Sequence, residues 1–504
     1  MRVKSVLATP FASMIARRIR RWSSEAHRAQ EYWLHKLVTE GRKTLFGRDH
    51  GFQHISSYAD FSRQVPLRSY EDFIPYLQKV YDGQSDVLWK GRPLYFAKSS
   101  GTTAGIKYIP ISKDSISNHI NTARNALLMY IDETRKTDFV NGRMIFLSGS
   151  PRLELHHGIP TGRLSGIVNH HVPRYLRRNQ LPSFETNCIE DWEQKLECIV
   201  QETINENMTL VSGIPPWMQM YFERLLQVSG KTTVKEVFPH LQLIIYGGVN
   251  FEPYRARLLS TIGGSVDTIE TYPASEGFIA FQDKQNEPGM LLNVDSGIFF
   301  EFVPAQEIHE PQPTRLRLAD VELDTNYALV LSTNAGLWAY VIGDTVKFVS
   351  KNPYRLIVTG RTKHFISAFG EHVIAEEVES SLMQAAQEHR CQVTEFTVAP
   401  QVNPPSGNLP YHEWFIEFAE EPASLSDFAR RLDELMCARN IYYNDLISGR
   451  ILQPLRITRI QKGGFIEYMK SIGKLGGQNK LPRLANDRSI ADALTPWILA
   501  AGTD

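Results

Sequence analysis

The chain has 504 residues, 42% hydrophobic and 22% charged, with lysine plus arginine and aspartate plus glutamate balanced at 55 each. That length exceeds one ordinary compact core, so two or more domains are expected. The even charge gives no bulk electrostatic reason for nucleic acid or an anionic membrane as partner, and a monomer or weak oligomer is expected.

Cys188, Cys198, Cys391 and Cys437 lie far apart with no Cys-x-x-Cys spacing, which argues against a zinc site or a disulfide framework and for a reducing, cytoplasmic setting. No apolar run reaches the roughly 18 residues that span a bilayer. The opening segment, MRVKSVLATPFASMIARRIRRW, contains Pro10 and runs into Arg17, Arg18, Arg20 and Arg21 without a small-residue cleavage site, so it reads as an amphipathic first helix and not as a signal.

Along the chain, Ile116, Ile120, Ala123, Leu127 and Ile131 recur at helical spacing after a glycine-rich turn. Trp192, Leu196, Ile199 and Val200 mark a second helix, and a third starts at Pro216 and carries Trp217, Met220, Tyr221 and Leu225. Short apolar strands fall between them at Met144 to Leu147, Leu241 to Tyr246 and Ala328 to Leu331. This alternation predicts an α/β architecture with a large multi-sheet N-terminal domain over residues 1–360.

After a last strand, Tyr354 to Gly360, the pattern changes. A helix from Ile374 to Glu388, strands Thr394 to Ala399 and Tyr411 to Phe418, a helix from Leu425 to Ala438, a strand from Ile451 to Ile457 and a helix near Phe465 to Ile472 read as a smaller, mobile α+β domain over residues 361–504. The hinge is expected at residues 361–364.

The most informative stretch is AKSSGTTAGIKYIPIS, Ala97 to Ser112. Ser99, Ser100, Gly101, Thr102 and Thr103 offer hydroxyls and backbone N–H groups that can wrap an anion, and Gly101 and Gly105 permit the positive φ such wrapping needs. Lys107 adds a point charge for a polyphosphate. The Gly-Lys-Ser/Thr ending of a Walker loop is absent. A plain Ser/Gly surface turn is the competing reading, disfavoured by the strand-like YIPI that follows.

SSGTTAG with Lys107 resembles the first core motif of the adenylate-forming superfamily, which includes acyl-CoA synthetases, adenylation domains and luciferases. Three further motifs follow in order. TYPASEGF, Thr271 to Phe278, is similar to the second motif. The resemblance implies that Tyr272, Ala274 and Ser275 border the nucleotide, with Tyr272 on adenine, and that Glu276 holds magnesium, which needs only one or two protein carboxylates. GLWAYVIGDTVKF resembles the third motif and gives Asp344 the ribose hydroxyls. GRTKHFISAFGEHV resembles the hinge motif, with Arg361 on the ribose, Lys363 as pivot and Gly370 to His372 facing the site.

LFGRDHGFQHISSYADFSRQVPLRSYEDFIPYL, SGIPPW, IIYGGVNFEPYR and SIGKLGGQNKLPRL resemble the acyl acid amido synthetases of the Gretchen Hagen type, in a compact form like the bacterial members. The resemblance implies ATP and magnesium as cofactors, a small carboxylic acid activated as its acyl-adenylate, and transfer to an amine, an amino acid in relatives of this kind. It assigns catalysis to Lys480, Lys107 and Glu276, with Lys480 steadying charge on the α-phosphate, and Arg483 anchoring the loop.

The acyl pocket is expected beside the adenylate, with Arg124, Leu128, Trp217, Met220 and Phe278 as candidates, each also readable as a core or surface residue and Arg124 as a salt-bridge partner. The adjacent pairs His156, His157 and His170, His171 do not form a metal site by spacing, because neighbouring side chains diverge. Two other functions remain open at this stage: an acyl-CoA or carrier-protein ligase, separated by the acceptor it uses, and a non-catalytic ATP-binding protein, separated by the lack of pyrophosphate release.

Overall fold

Met208–Gly213 and Leu243–Gly247 are short apolar strands followed by helices, the pattern of a parallel sheet covered on both faces. The computed structural model describes residues 2–100, 106–172, 177–189, 191–248, 251–362, 365–366, 373–402, 404, 409–448, 452–475, 480–485 and 487–499. Those two strands lie in a 12-stranded sheet. One half is parallel, running from Gln180–Leu181 through Arg143–Phe146, Met208–Gly213 and Leu243–Gly247 to Asp267–Ala274. Beyond Asp267–Ala274 every pairing is antiparallel, through Gly277–Phe281, Met290–Leu292, Tyr354–Arg361, Tyr340–Lys351, Asn326–Thr333 and Ile298–Pro304 to Leu316–Arg317.

Strand periodicity divides the parallel half between two cores. Val211 and Ile244 pack with Trp192, Ile199, Tyr221 and Leu225 of the crossover helices, whereas Leu210 and Leu243 face Leu128, Met129 and Ile131 of the helix Ile116–Thr134. That helix is backed by the first one, Arg2–Ser24, through the buried Ala12, Ala16 and Ile19. The antiparallel half builds the largest core, in which Phe299, Leu329, Leu331 and the fully buried Trp338 meet Leu37, Phe46 and Phe52. A separate four-stranded sheet runs in the order Ile106–Ile111, Tyr95–Ser100, Ile159–Arg163, Glu154–His156.

The smaller C-terminal domain has a three-stranded sheet, Gln392–Gln401, Tyr411–Glu420 and Arg456–Ile460, with a core formed against helices Ala375–Glu388 and Leu425–Arg439. Helices Ile441–Ser448 and Ser489–Ala493 lie where the sequence pattern predicts none, and the strand expected from Ile451 begins at Arg456. Pro454 has no ladder donor, and Leu455 N–H is turned to Asp433 Oδ1 at 2.9 Å, so the chain cannot join the sheet before Arg456. Among the described residues no helix is long and apolar enough to cross a membrane.

Asp132 ties the first helix to Ile116–Thr134. Its carboxylate, 3% exposed, accepts from Ser13 at 2.6 Å and pairs with Arg20 at 2.5 Å and Arg135 at 3.2 Å. Burial alone would raise its pKa, but the Ser13 and Arg20 hydrogen bonds and both guanidinium charges outweigh it and hold the group below its ordinary value. A depressed carboxylate contributes stability that is present above the ordinary aspartate range and lost as pH falls through the folded-state pKa. Asp132→Ala should therefore lower the unfolding free energy by about 1–2 kcal/mol at neutral pH, with the gap from the parent closing below about pH 4. Urea denaturation across pH checks this, and a gap constant down to that range would contradict it.

Candidate functional site

All the parallel strands run toward one edge of the sheet, and ligands of such sheets bind beyond the carboxyl ends of the strands. There lies a cavity of about 1950 Å³, lined by Ser148 and Gly149, Ser212 to Ile214, Gly247 and Gly248, and Ala274 to Glu276, at or just beyond the ends of four of the parallel strands. The structure brings Ser99, Lys107, Arg124, Leu128, Trp217, Met220, Tyr272, Phe278, Asp344 and Lys480 to the same cavity.

Ser99 and Lys107 face each other across the antiparallel pair Tyr95–Ser100 and Ile106–Ile111. The Lys107 ammonium stands 5.5 Å from the Tyr70 ring centroid, and Tyr70 Oη accepts the Tyr108 N–H at 2.8 Å, which steadies the base of the hairpin. The Ser100 backbone ends the first strand opposite Ile106. Gly101, Thr102 and Thr103 lie outside the described residues.

Glu276 is the second residue of a two-residue turn between Asp267–Ala274 and Gly277–Phe281, where Ala274 pairs with Gly277. Neither Ser275 nor Glu276 has a positive φ, so the turn lacks the mirror-image geometry that suits strand twist. The ladder shifts register between Phe278 and Ala280, which accommodates the mismatch. A buried amide holds the result: Asn118 Oδ1 accepts the Phe278 N–H at 2.6 Å, and Asn118 Nδ2 donates to Ser296 Oγ at 2.9 Å and Phe278 O at 3.4 Å. Asn293 Nδ2 donates to Phe278 O at 3.3 Å and to Thr122 Oγ1 at 2.7 Å. A Cβ on Gly277 would meet Ile298 Cδ1 at 2.5 Å, so the residue after Glu276 packs closely against that side chain. Glu276 and Ser275 are 9% and 8% exposed, which is not the solvated loop that a lone glutamate suggests.

Tyr272 and Asp344, from opposite halves of the sheet, meet directly, the tyrosine hydroxyl donating to Asp344 Oδ2 at 2.5 Å. Arg361 is the ladder partner of Asp344, so its backbone is beside the same carboxylate. The Arg361 side chain, Lys363 and Gly370 to His372 fall outside the described residues.

The small domain supplies Lys480. The segment after it joins the edge of the three-stranded sheet: Val398 N–H donates to Arg483 O at 2.9 Å, Ala485 N–H to Val398 O at 3.0 Å, and Thr397 Oγ1 to Pro482 O at 2.7 Å. Arg483 pairs with Glu395 and Glu379, donates to Phe396 O at 3.1 Å and lies over the Phe396 ring. With its base so anchored, Lys480 reaches the large domain, where a side chain on Gly248 would put its first carbon 3.4 Å from Lys480 Nζ. Gly248 has φ +81, a conformation that side chains rarely adopt.

Leu128, Trp217 and Phe278 are core residues and cavity walls at once, 5–7% exposed, with Trp217 against Trp192 at 4.9 Å between ring centroids. Arg124 is exposed, donates to Asn125 Oδ1 at 3.4 Å, and makes no ion pair among the described residues. Each histidine of the two adjacent pairs has its own contact: His156 stacks on Tyr108 and His157 on Tyr81, while His170 bonds Pro151 O and His171 bonds Tyr95 Oη.

Sequence reasoning missed several residues. Ala8 and Phe11 of the first helix line the cavity, and nothing in their periodicity separates a cavity wall from a packed face. Lys195, 3% exposed, donates to Ser148 O and Asn187 O at 2.9 Å each and so fixes a cavity loop, with its pKa pulled to about 8 by burial. Asn118 carried no signal beyond a polar residue on a helix.

Asn118→Ala leaves the buried Phe278 N–H without an acceptor and should cost about 2–3 kcal/mol of stability. Ser296→Ala keeps that N–H paired and should cost about 1 kcal/mol or less. Chemical denaturation compares them, and equal losses would mean that Asn118 Oδ1 is not the holding contact.

The comparisons with known proteins agree with this architecture. The GH3 family N-terminal domain matches residues 15–187, the GH3 family central domain residues 291–361 and the GH3 family C-terminal domain residues 376–489. An indole-3-acetic acid-amido synthetase of Arabidopsis thaliana, GH3.3, is 27% identical over 556 residues, covering 94% of this chain and 91% of that protein. A jasmonoyl-L-amino acid synthetase of Nicotiana attenuata, JAR4, is 23% identical over 390 residues, 64% of this chain and 67% of that protein. Among solved structures, GH3.15 acyl acid amido synthetase aligns with a TM-score of 0.80 at 16% identity over 97% of both chains. A 2-hydroxyisobutyryl-CoA ligase in the postadenylation state aligns with a TM-score of 0.60 at 14% identity, covering 94% of this chain and 90% of that one. With all three of its domain models matched in order along one continuous architecture, this chain belongs to the GH3 family.

Proposed function

We propose that the chain is an ATP-dependent acyl acid amido synthetase, which joins a small carboxylic acid to an amine, an amino acid by the names of its relatives, through an acyl-adenylate. The observation that carries this reading is one cavity bordered by a serine-lysine hairpin, a buried glutamate, a tyrosine-aspartate pair and a lysine delivered from the other domain. An acyl-adenylate is a hydrolysable mixed anhydride, and a cavity between two domains supports its shielding from water.

In the first half-reaction a carboxylate oxygen of the acid bonds to the α-phosphorus and the bond to pyrophosphate breaks. Ser99, Ser100, Gly101, Thr102 and Thr103, with Lys107, hold the phosphates. Tyr272, Ala274 and Ser275 border the nucleotide, and Asp344, oriented by the Tyr272 hydroxyl, accepts the ribose hydroxyls with Arg361 beside it. Lys480 stabilises the charge that builds on the α-phosphate and carboxylate oxygens, an effect of this kind being worth about a hundredfold or more in rate. The buried Glu276 fits one position of a magnesium ion that otherwise takes phosphate oxygens and water, and such an ion would neutralise the departing pyrophosphate.

In the second half-reaction an amine nitrogen bonds to the acyl carbon and the bond to AMP breaks, the amine proton passing to solvent. The small domain turns about Lys363 for this step, and its closure excludes water from the mixed anhydride. Arg124, Leu128, Trp217, Met220 and Phe278 wall the acyl group. The four free cysteines support a reducing, cytoplasmic setting.

A pyrophosphate-release screen over aromatic and aliphatic acids, with amino acids or coenzyme A as acceptor, tests the reading. Release that depends on an acid and yields an amide supports it, thioester formation would make the chain a coenzyme A ligase, and no release with any acid would leave a non-catalytic ATP-binding protein. Lys480→Ala should lower adenylation about a hundredfold or more with ATP affinity nearly intact. Asp344→Ala should weaken ATP binding about tenfold or more, and unaltered affinity by calorimetry would remove Asp344 from the ribose.

A further inference from the structure

One buried group of the cavity wall has no part in the chemistry above. His119 follows Asn118 on the helix Ile116–Thr134, is 3% exposed and lines the cavity. Its Nδ1 is wholly enclosed and makes no hydrogen bond, and Nε2 has no protein partner among the described residues. Nε2 is thus the ring nitrogen left with access to the cavity.

Burial pushes the imidazole pKa down to about 4, so the ring is neutral at physiological pH and carries a single N–H. An N–H enclosed on Nδ1 would stay unpaired at its full desolvation cost, whereas one on Nε2 can be met from the cavity. The proton therefore belongs on Nε2, an assignment made from the hydrogen-bond surroundings, and the unpaired lone pair on Nδ1. The result is a neutral donor in a stretch of wall made apolar by Ile120, Ala123, Leu127 and Leu128. A carboxylate in this cavity has the cations Arg124 and Lys480 to approach, and charge-assisted bonds to them are stronger than one to a neutral imidazole. What a neutral donor discriminates is a neutral oxygen.

We propose that His119 is a specificity-determining residue whose Nε2–H donates to a ketone or ether oxygen carried by the acyl group away from its reacting carboxylate, so that oxygenated acyl acids are preferred over hydrocarbon acids of the same shape. The proposal rests on the ligase reading. A hydrocarbon acid leaves the imidazole N–H against carbon, and a site built to hydrogen-bond a substrate group rejects the analogue without it far more strongly than an apolar pocket rejects a size change.

The test uses isosteric pairs, acetyl- against isopropyl-substituted phenylacetic acids in the ortho, meta and para series, together with a broad panel of other keto and alkyl acid pairs. Pyrophosphate release by the full chain gives kcat/KM for each. The expected ratio of keto to hydrocarbon acid is about tenfold or more for at least one pair, falling toward one in His119→Leu and partly restored in His119→Gln, which keeps a donor. Melting temperatures identify any variant that does not fold, and in that event the parent ratio and the other variant decide. A parent ratio near one for every pair, or a ratio kept in His119→Leu, overturns the His119 assignment alone. No acid-dependent release with any acid overturns the ligase reading and this inference with it.

Discussion

A two-residue turn held by one buried amide sets the position of the acidic group in the cavity. Asn118 bonds both backbone polar atoms of Phe278, immediately beyond a turn whose φ angles do not suit the strand twist. Without that amide the buried Phe278 N–H would lose its acceptor, and the register shift after Phe278 would lose the contact that holds it. Because the same segment leads back to Glu276 and carries the Phe278 ring, the Asn118 contacts fix a charged group and a cavity wall together.

The sheet supplies the rest of the geometry by changing character at one strand. Asp267–Ala274 is parallel to its neighbour on one side and antiparallel to its neighbour on the other. Parallel strands end together, so the loops after Arg143–Phe146, Met208–Gly213 and Leu243–Gly247 converge on one edge. The antiparallel half brings Asp344 to that edge, where the Tyr272 hydroxyl meets it. The remaining cation arrives through a different sheet: Lys480 is set by backbone pairing of Arg483 to Ala485 with Val398, and by the ion pairs of Arg483 with Glu395 and Glu379. The Arg483 contacts are the anchoring expected of that residue from its place beside the lysine.

The first helix is more than a cap on the fold. Ala12 and Ala16 are small enough to let it lie against Ile116–Thr134, Asp132 ties the two by ionic contacts, and Phe11 and Ala8 then reach the cavity. The cavity wall is accordingly assembled from the first helix together with residues far along the chain, such as Phe278.

Local pattern was enough for much of the architecture. Helical spacing located Ile116–Thr134 and Trp192–Thr203, apolar runs located Arg143–Phe146, Leu243–Gly247 and Asn326–Thr333 in outline, and the motif residues Ser99, Lys107, Tyr272, Glu276, Asp344 and Lys480 could be named because the segments that carry them resemble those of a known family. What only the tertiary structure decided were contacts between residues far apart in sequence. Asn118 and Phe278 are separated by 160 positions, and the strand start at Arg456 depends on a carboxylate at Asp433. The orphaned ring of His119 is likewise invisible until the cavity closes around it. Periodicity reports which face of an element is buried, whereas whether a buried polar group finds a partner, and which one, is a property of the folded packing.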